Sequence, residues 1–133
     1  MIHVQRDTFP LAQVFRISRE ARSEARVISV QVTQNGVTGR GECVPYKRYG
    51  ETLESVSAQI ESLPEGIDRA ALADALPPGA ARNAVDCALW DLEAKQAGAP
   101  SWTLAGLSAP GPVITAFTLS LDDLVIASFT AGP

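Results

Sequence analysis

The side chains able to do chemistry in this 133-residue chain are few and widely spaced. His3 is the single histidine and Cys43 and Cys87 are the two cysteines, so a zinc site built from Cys and His has too few ligands. Glu42, Glu51, Asp86, Asp91, Asp122 and Asp123 are carboxylates near turns or helix faces, and a pair of them has the oxygen donors for a divalent cation. Their spacing matches no calcium loop. Asp86 and Asp91 are five apart in a helical pattern and do not share a face, which favours solvated or locally paired carboxylates. The chain has no GxSxG elbow, no P-loop and no HExxH pair, and a Ser-His-Asp triad has only His3 to build on. GRGECV, residues 39–44, lacks the third glycine of a dinucleotide fingerprint, and no helix opens there. Cations concentrate in two segments, SREARSEAR at residues 18–26 and PYKRYGE at residues 45–51.

Composition narrows the possible partners. With 46% hydrophobic and 20% charged residues, a chain of this length buries a real core as a single globular domain. A net charge of -4, from 11 basic and 15 acidic residues, leaves no electrostatic footprint for nucleic acid or an anionic membrane. Apolar runs are short, and the segment after Met1 carries His3, Arg6 and Asp7 where a signal peptide has an apolar core. The expectation is a cytoplasmic protein with two buried free thiols, and no nucleic-acid or membrane partner.

Residues 2–11 alternate weakly and carry Pro10, which suits an edge strand that residues 14–18 extend. SREARSEAR has no apolar face and reads as an exposed loop. In residues 27–33, Ile28, Val30 and Val32 share one face and Ser29, Gln31 and Thr33 the other, the period of a half-buried strand. Asn35-Gly36 supplies the positive-φ pair of a tight hairpin, and residues 37–44 return as its partner strand. Gly39 and Gly41 there predict a bulge or a close backbone approach. Leu53, Val56, Ile60 and Leu63 step along a first helix that ends before Pro64. Asp68 is the N-cap of a short second helix stopped at Pro77 and Pro78. The third helix, residues 79–98, places Ala81, Ala84, Val85, Ala88, Leu89 and Leu92 on a small-residue stripe that another element can approach closely. Residues 99–112 are turn-rich, and residues 113–119, VITAFTL, read as one more strand. A strand meander followed by helices is an α+β pattern.

Taken together, GRGECVPYKRYGET, PPGAARNAVDCALWDLEAK and VITAFTLSLD, in that order, resemble the N-terminal part of the dipeptide epimerases, typically L-Ala-D/L-Glu epimerases. These belong to the muconate-lactonizing branch of the enolase superfamily, and the resemblance runs from about Phe9 to Asp122. It implies an enolase N-terminal-like capping domain over residues 1–110, a three-stranded antiparallel meander followed by helices. Residues 111–122 would then begin a TIM-type barrel with its first strand, and residues 123–133 form a divergent tail. It further implies an isomerase. In the complete enzyme a lysine abstracts the proton α to a carbonyl, Mg2+ stabilises the enolate, and a second lysine returns the proton on the opposite face.

By the same resemblance SREARSEAR and PYKRYGE are the two loops that cover a small dipeptide substrate. Arg22 matches the position whose guanidinium binds the glutamate side-chain carboxylate, with Arg19 its neighbour, although both also read as solvent-facing loop arginines. Tyr46, Tyr49 and Gly50 shape the second loop, and Thr115 and Thr118 lie near the floor of the site. Cys87 and Trp90 are expected to dock the long helix on the barrel, whose surface is the stripe's candidate partner. The family's Lys-x-Lys pair, three metal-binding acids and opposite lysine have no counterpart in these residues. A truncated or frameshifted chain near Asp123, inactive alone and binding no Mg2+, is therefore expected. The alternative is a non-catalytic capping module that pairs with a separate barrel chain or with itself, and exposed apolar surface predicts self-association.

Overall fold

The computed structural model describes residues 1–17 and 20–116. Three strands, β1 (Ile2–Ile17), β2 (Glu20–Gln34) and β3 (Val37–Cys43), form one sheet in the order β1-β2-β3. Helices α1 (Leu53–Glu61), α2 (Arg69–Ala75), α3 (Ala80–Ala97) and α4 (Ser101–Leu104) follow. Met1–Asp7 with Arg26–Pro110 form one compact unit, and the described residues of 8–25 and 111–116 belong to a second.

The β2–β3 turn forms as its residues dictate. Asn35 and Gly36 take φ of 51° and 76°, the two left-handed positions of a primed turn, and Thr33 and Thr38 share a 2.9 Å hydroxyl contact beside it. Pairing then runs without interruption from Gln34 opposite Val37 to Ile28 opposite Cys43. Gly39 and Gly41 therefore mark a close approach and no bulge. At the other edge Met1 and Thr33 exchange both backbone bonds, the signature of an antiparallel pair, at 3.1 and 2.9 Å. Pro10 falls within β1, an edge strand, the position in a sheet that tolerates a residue without an N–H.

SREARSEAR is not the exposed loop its composition predicts. From Glu20 it is already β2, with Arg22 and Glu24 half-buried and Ala21 and Ser23 exposed. Pairing with a neighbouring strand supplies backbone partners that an isolated polar segment lacks, and that tertiary gain overrides local propensity. Residues 18–19 lie outside the described structure.

The helices start and stop at their chemical signals. Thr52 and Ser55 form a reciprocal capping box on α1. Asp68 caps α2 by accepting from Ala71 N–H at 2.8 Å. Gly98, at φ 61°, closes α3 in the left-handed conformation. The short α4 is the element that the turn-rich reading of residues 99–112 misses.

The core of the first unit lies between the inner face of the sheet and α1–α3. Ile28, Val30 and Val32 of β2 meet Val56 and Ile60 of α1, Leu72 of α2, and Ala81, Ala84, Val85, Ala88, Leu89 and Leu92 of α3. The alanine stripe thus finds its partner inside this chain. It lies on β3 and is buried to 3% exposure or less, which corrects the expectation of a barrel-docking, exposed surface. The reason is steric. A Cβ at Gly41 would meet the Ala84 carbonyl oxygen and lie 2.9 Å from Ala88 N, and one at Gly39 would sit 2.7 Å from Leu92 Cβ. Two glycines spaced by the strand repeat face three small or flexible positions spaced by the helix repeat, so backbone packs on backbone.

Among the described residues no strand follows β3, and residues 113–116 of the expected barrel strand have no regular structure, with Val113 and Ile114 exposed. The rest of VITAFTL lies outside the described residues.

Candidate functional site

PYKRYGE leaves β3 and folds on itself. Lys47–Tyr49 form a single 3-10 turn ended by Gly50 at φ 74°. Tyr49 N–H donates to the Tyr46 carbonyl at 2.9 Å and Gly50 N–H to the Lys47 carbonyl at 3.0 Å. This brings Tyr46 and Tyr49 together, their ring centroids 5.6 Å apart and their planes tilted by 58°. Tyr49 is 76% exposed and Tyr46 is 43% exposed, so the aromatic pair faces solvent with Lys47 and Arg48 beside it.

Glu51 holds this loop, a role that the sequence reading does not assign. Its Oε2 accepts from Tyr46 N–H at 3.0 Å and its Oε1 from Ala80 N–H, the first residue of α3, at 2.7 Å. Gly79, the N-cap of α3, offers no side-chain cap of its own. A carboxylate at a helix N-terminus satisfies an orphan N–H and meets the positive end of the helix dipole. The signal was available in the run of Pro77, Pro78 and Gly79 before α3, none of which carries a capping oxygen.

Arg22 lies on β2 and Thr115 follows α4; both fall in the second compact unit, and Tyr46 and Tyr49 fall in the first. Arg19 and Thr118 lie outside the described residues.

Asp122 and Asp123 lie outside the described residues, and among Glu42, Glu51, Asp86 and Asp91 no three join in a group that could hold a metal ion. Asp91 Oδ2 accepts from Arg40 N–H at 2.8 Å and from Lys95 Nζ at 2.6 Å, and Lys95 also donates to the Thr38 carbonyl at 2.9 Å. α3 thereby closes backbone groups on the free edge of β3. Burial acts to raise the Asp91 pKa, but the hydrogen bonds from Lys95 and Arg40 N–H outweigh it and hold the carboxyl below its ordinary value. Among the described residues no group of three or more His, Cys, Asp or Glu side chains could hold a metal ion. The donor set present does not fit a magnesium site.

Trp90 is engaged within the chain. Arg69 stacks 3.6 Å from its ring centroid while forking onto Glu93 at 3.0 and 2.9 Å, which ties α2 to α3. Of the two free thiols, Cys43 is buried and Cys87 is exposed, which corrects the expectation that both are buried. Desolvation, with Glu51 and Glu42 nearby, pushes the Cys43 thiol up to about 11. Among the described residues a shallow cavity of about 450 Å³ opens among Asp7, Ser29, Val30, Gln31, Arg40 and Glu42, and another of about 340 Å³ lies beside His3, Val4, Ile60 and Glu61. No helix among the described residues is long and apolar enough to cross a membrane.

A three-stranded antiparallel sheet followed by helices is the α+β architecture of the enolase superfamily's N-terminal capping domain. The chain belongs to the mandelate racemase / muconate lactonizing enzyme N-terminal domain family, which matches residues 1–106. It is 48% identical over 122 residues to the L-Ala-D/L-Glu epimerase of Escherichia coli K12, an alignment covering 89% of this chain and 38% of that enzyme. An N-acetyl-D-glutamate racemase from a Pseudoalteromonas species is 37% identical over 72% of this chain and 32% of its own length. Among solved structures, an enolase family member from Agrobacterium tumefaciens with homology to dipeptide epimerases, bound to sodium and L-Ala-L-Glu with an ordered loop, superposes with a TM-score of 0.85 at 43% identity. That likeness covers 98% of this chain and 41% of the other. A dipeptide epimerase from Methylococcus capsulatus complexed with Mg and L-Arg-D-Lys gives a TM-score of 0.73 at 29% identity, over 98% of this chain and 42% of that one. The chain spans between about a third and two fifths of the length of these relatives.

Proposed function

We propose that these 133 residues are the capping part of a dipeptide epimerase that inverts the α-carbon of an L-Ala-Glu type dipeptide. What supports this reading most is the 48% identity to an L-Ala-D/L-Glu epimerase, carried across both candidate covering segments. The likeness to a structure bound to L-Ala-L-Glu supports the same substrate class.

In this reading the cap selects and encloses. Arg22 offers a planar fork of N–H donors to the side-chain carboxylate of the second residue, with Arg19 adding positive charge nearby. Tyr46 and Tyr49 close over the dipeptide and exclude water, and Thr115 and Thr118 belong to the start of the barrel, residues 111–122, below it. Mg2+ in the complete enzyme supplies positive charge for the enolate. The residues here contribute no group that moves the α-proton. Their two lysines are Lys47 and Lys95, and Lys95 is committed to Asp91 and the Thr38 carbonyl. Epimerisation therefore requires barrel residues beyond these, and the 133-residue chain alone does not catalyse it.

Two experiments test this. The purified chain, incubated in D2O with Mg2+ and L-Ala-L-Glu, is expected to leave the α-proton in place, and measurable exchange would overturn its proposed inactivity. A chimera in which residues 1–122 replace the matching segment of the Escherichia coli epimerase is expected to epimerise L-Ala-L-Glu. A folded, Mg-binding chimera without that activity would remove the capping role.

A further inference from the structure

We propose that Glu51 is the positioning residue of the Tyr46–Tyr49 loop, an inference that rests on the covering role proposed above for that loop. Glu51 grips Tyr46 through both backbone groups. Tyr46 N–H donates to Glu51 Oε2 at 3.0 Å, and Glu51 N–H donates to the Tyr46 carbonyl at 3.4 Å. The segment between them is a closed ring of six residues whose 3-10 turn buries nothing, so apolar packing does not hold it in place. Its attachment is the second carboxylate oxygen, which accepts from Ala80 N–H at 2.7 Å.

Gly79 completes the device. Its φ of 164° is extended backbone open to any residue, so the turn itself does not require glycine. A Cβ there would stand 3.1 Å from Glu51 Oε1, a tighter contact than side chains ordinarily tolerate. The missing side chain leaves room for a carboxylate arriving from elsewhere in the chain, and Glu51 caps α3 where Gly79 cannot. Because α3 is itself wedged onto Gly39 and Gly41, the loop inherits its position from that backbone-on-backbone contact. A loop ordered in advance binds a ligand without the entropic cost of ordering at that moment.

Amide hydrogen exchange and aromatic NOEs on the 133-residue chain, with no dipeptide present, test this directly. In E51A the Tyr46 and Ala80 amides are expected to exchange at least tenfold faster and the Tyr46–Tyr49 ring NOEs to vanish, while amides of the β2–β3 ladder change less than twofold. E51Q keeps the shape and one carbonyl acceptor, so it restores part of the protection and the NOEs. It also serves if E51A does not fold. Unchanged loop exchange and NOEs would overturn the proposal, and so would acceleration of loop and ladder amides in parallel, which marks a purely global role. Failure of the chimera to epimerise would instead remove the covering role and leave these exchange results standing.

Discussion

Gly39 of β3 lies under the Ala88 carbonyl of α3 so closely that a single added methyl has no room. The contact fixes how far the helix stands from the sheet, and α1, α2 and α4 each pack against α3. Introducing a Cβ at Gly39 or Gly41 pushes α3 off the strand. Each of G39A and G41A is expected to cost about 1–3 kcal/mol or more, as overpacking of well-filled cores does. Urea denaturation measures it, and a G39A midpoint equal to the parent's would contradict the wedge.

Asp91 and Lys95 close the free edge of β3. Because the Asp91 pKa is lowered on folding, the carboxylate's contribution is fully present above its ordinary value of 3.8 and is lost as pH falls through the depressed folded value. Both side chains are partly solvated, so D91A is expected to cost only about 1 kcal/mol. In D91N the acid limb of the stability profile flattens. Freeing Arg40 N–H also exposes a donor on that edge, so D91A is expected to associate more than the parent in sedimentation velocity. An unaltered acid limb in D91N would show that the edge contact carries no linkage.

The two thiols separate by environment. A thiol reagent at pH 8 is expected to modify exposed Cys87 rapidly and buried Cys43 only on unfolding, so C87S removes the fast phase. The raised Cys43 pKa stabilises the folded chain below 9.0, and that contribution is lost as pH rises to about 11. Rapid modification of both thiols in the native chain would contradict the burial of Cys43.

Arg69 joins α2 to α3 through Glu93 and the Trp90 ring. R69A is expected to cost about 1 kcal/mol and to shift Trp90 fluorescence. R69K, which cannot fork onto Glu93, should recover less than half of the loss. Full recovery by lysine would mean that charge alone matters there.

Much of the architecture was legible because it rests on local signals. Asn35-Gly36 fixes its own turn, Asp68 its own helix start, and the Val56, Ile60 spacing its own face. What escaped are relationships between distant residues. The alanine stripe announced a close neighbour, but periodicity carries no address, and the neighbour proved to be Gly39 and Gly41 in the same chain. SREARSEAR was misread because its strand from Glu20 onward depends on β1 for hydrogen bonds, which no window of local sequence contains. Glu51 was missed because a cap supplied from 29 residues away has no local motif. With the stripe buried, the apolar surface left to support the expected self-association is that of exposed side chains such as Leu107, Val113 and Ile114.

Arg22→Ala in the chimera with the Escherichia coli barrel tests most directly whether this cap selects a dipeptide by its second-residue carboxylate. The expected result is a loss of about 30- to 1,000-fold in kcat/KM for L-Ala-L-Glu, the loss of a charge-paired contact, with little change for a dipeptide whose second side chain is uncharged. An equal loss for both dipeptides, or none for either, would contradict it.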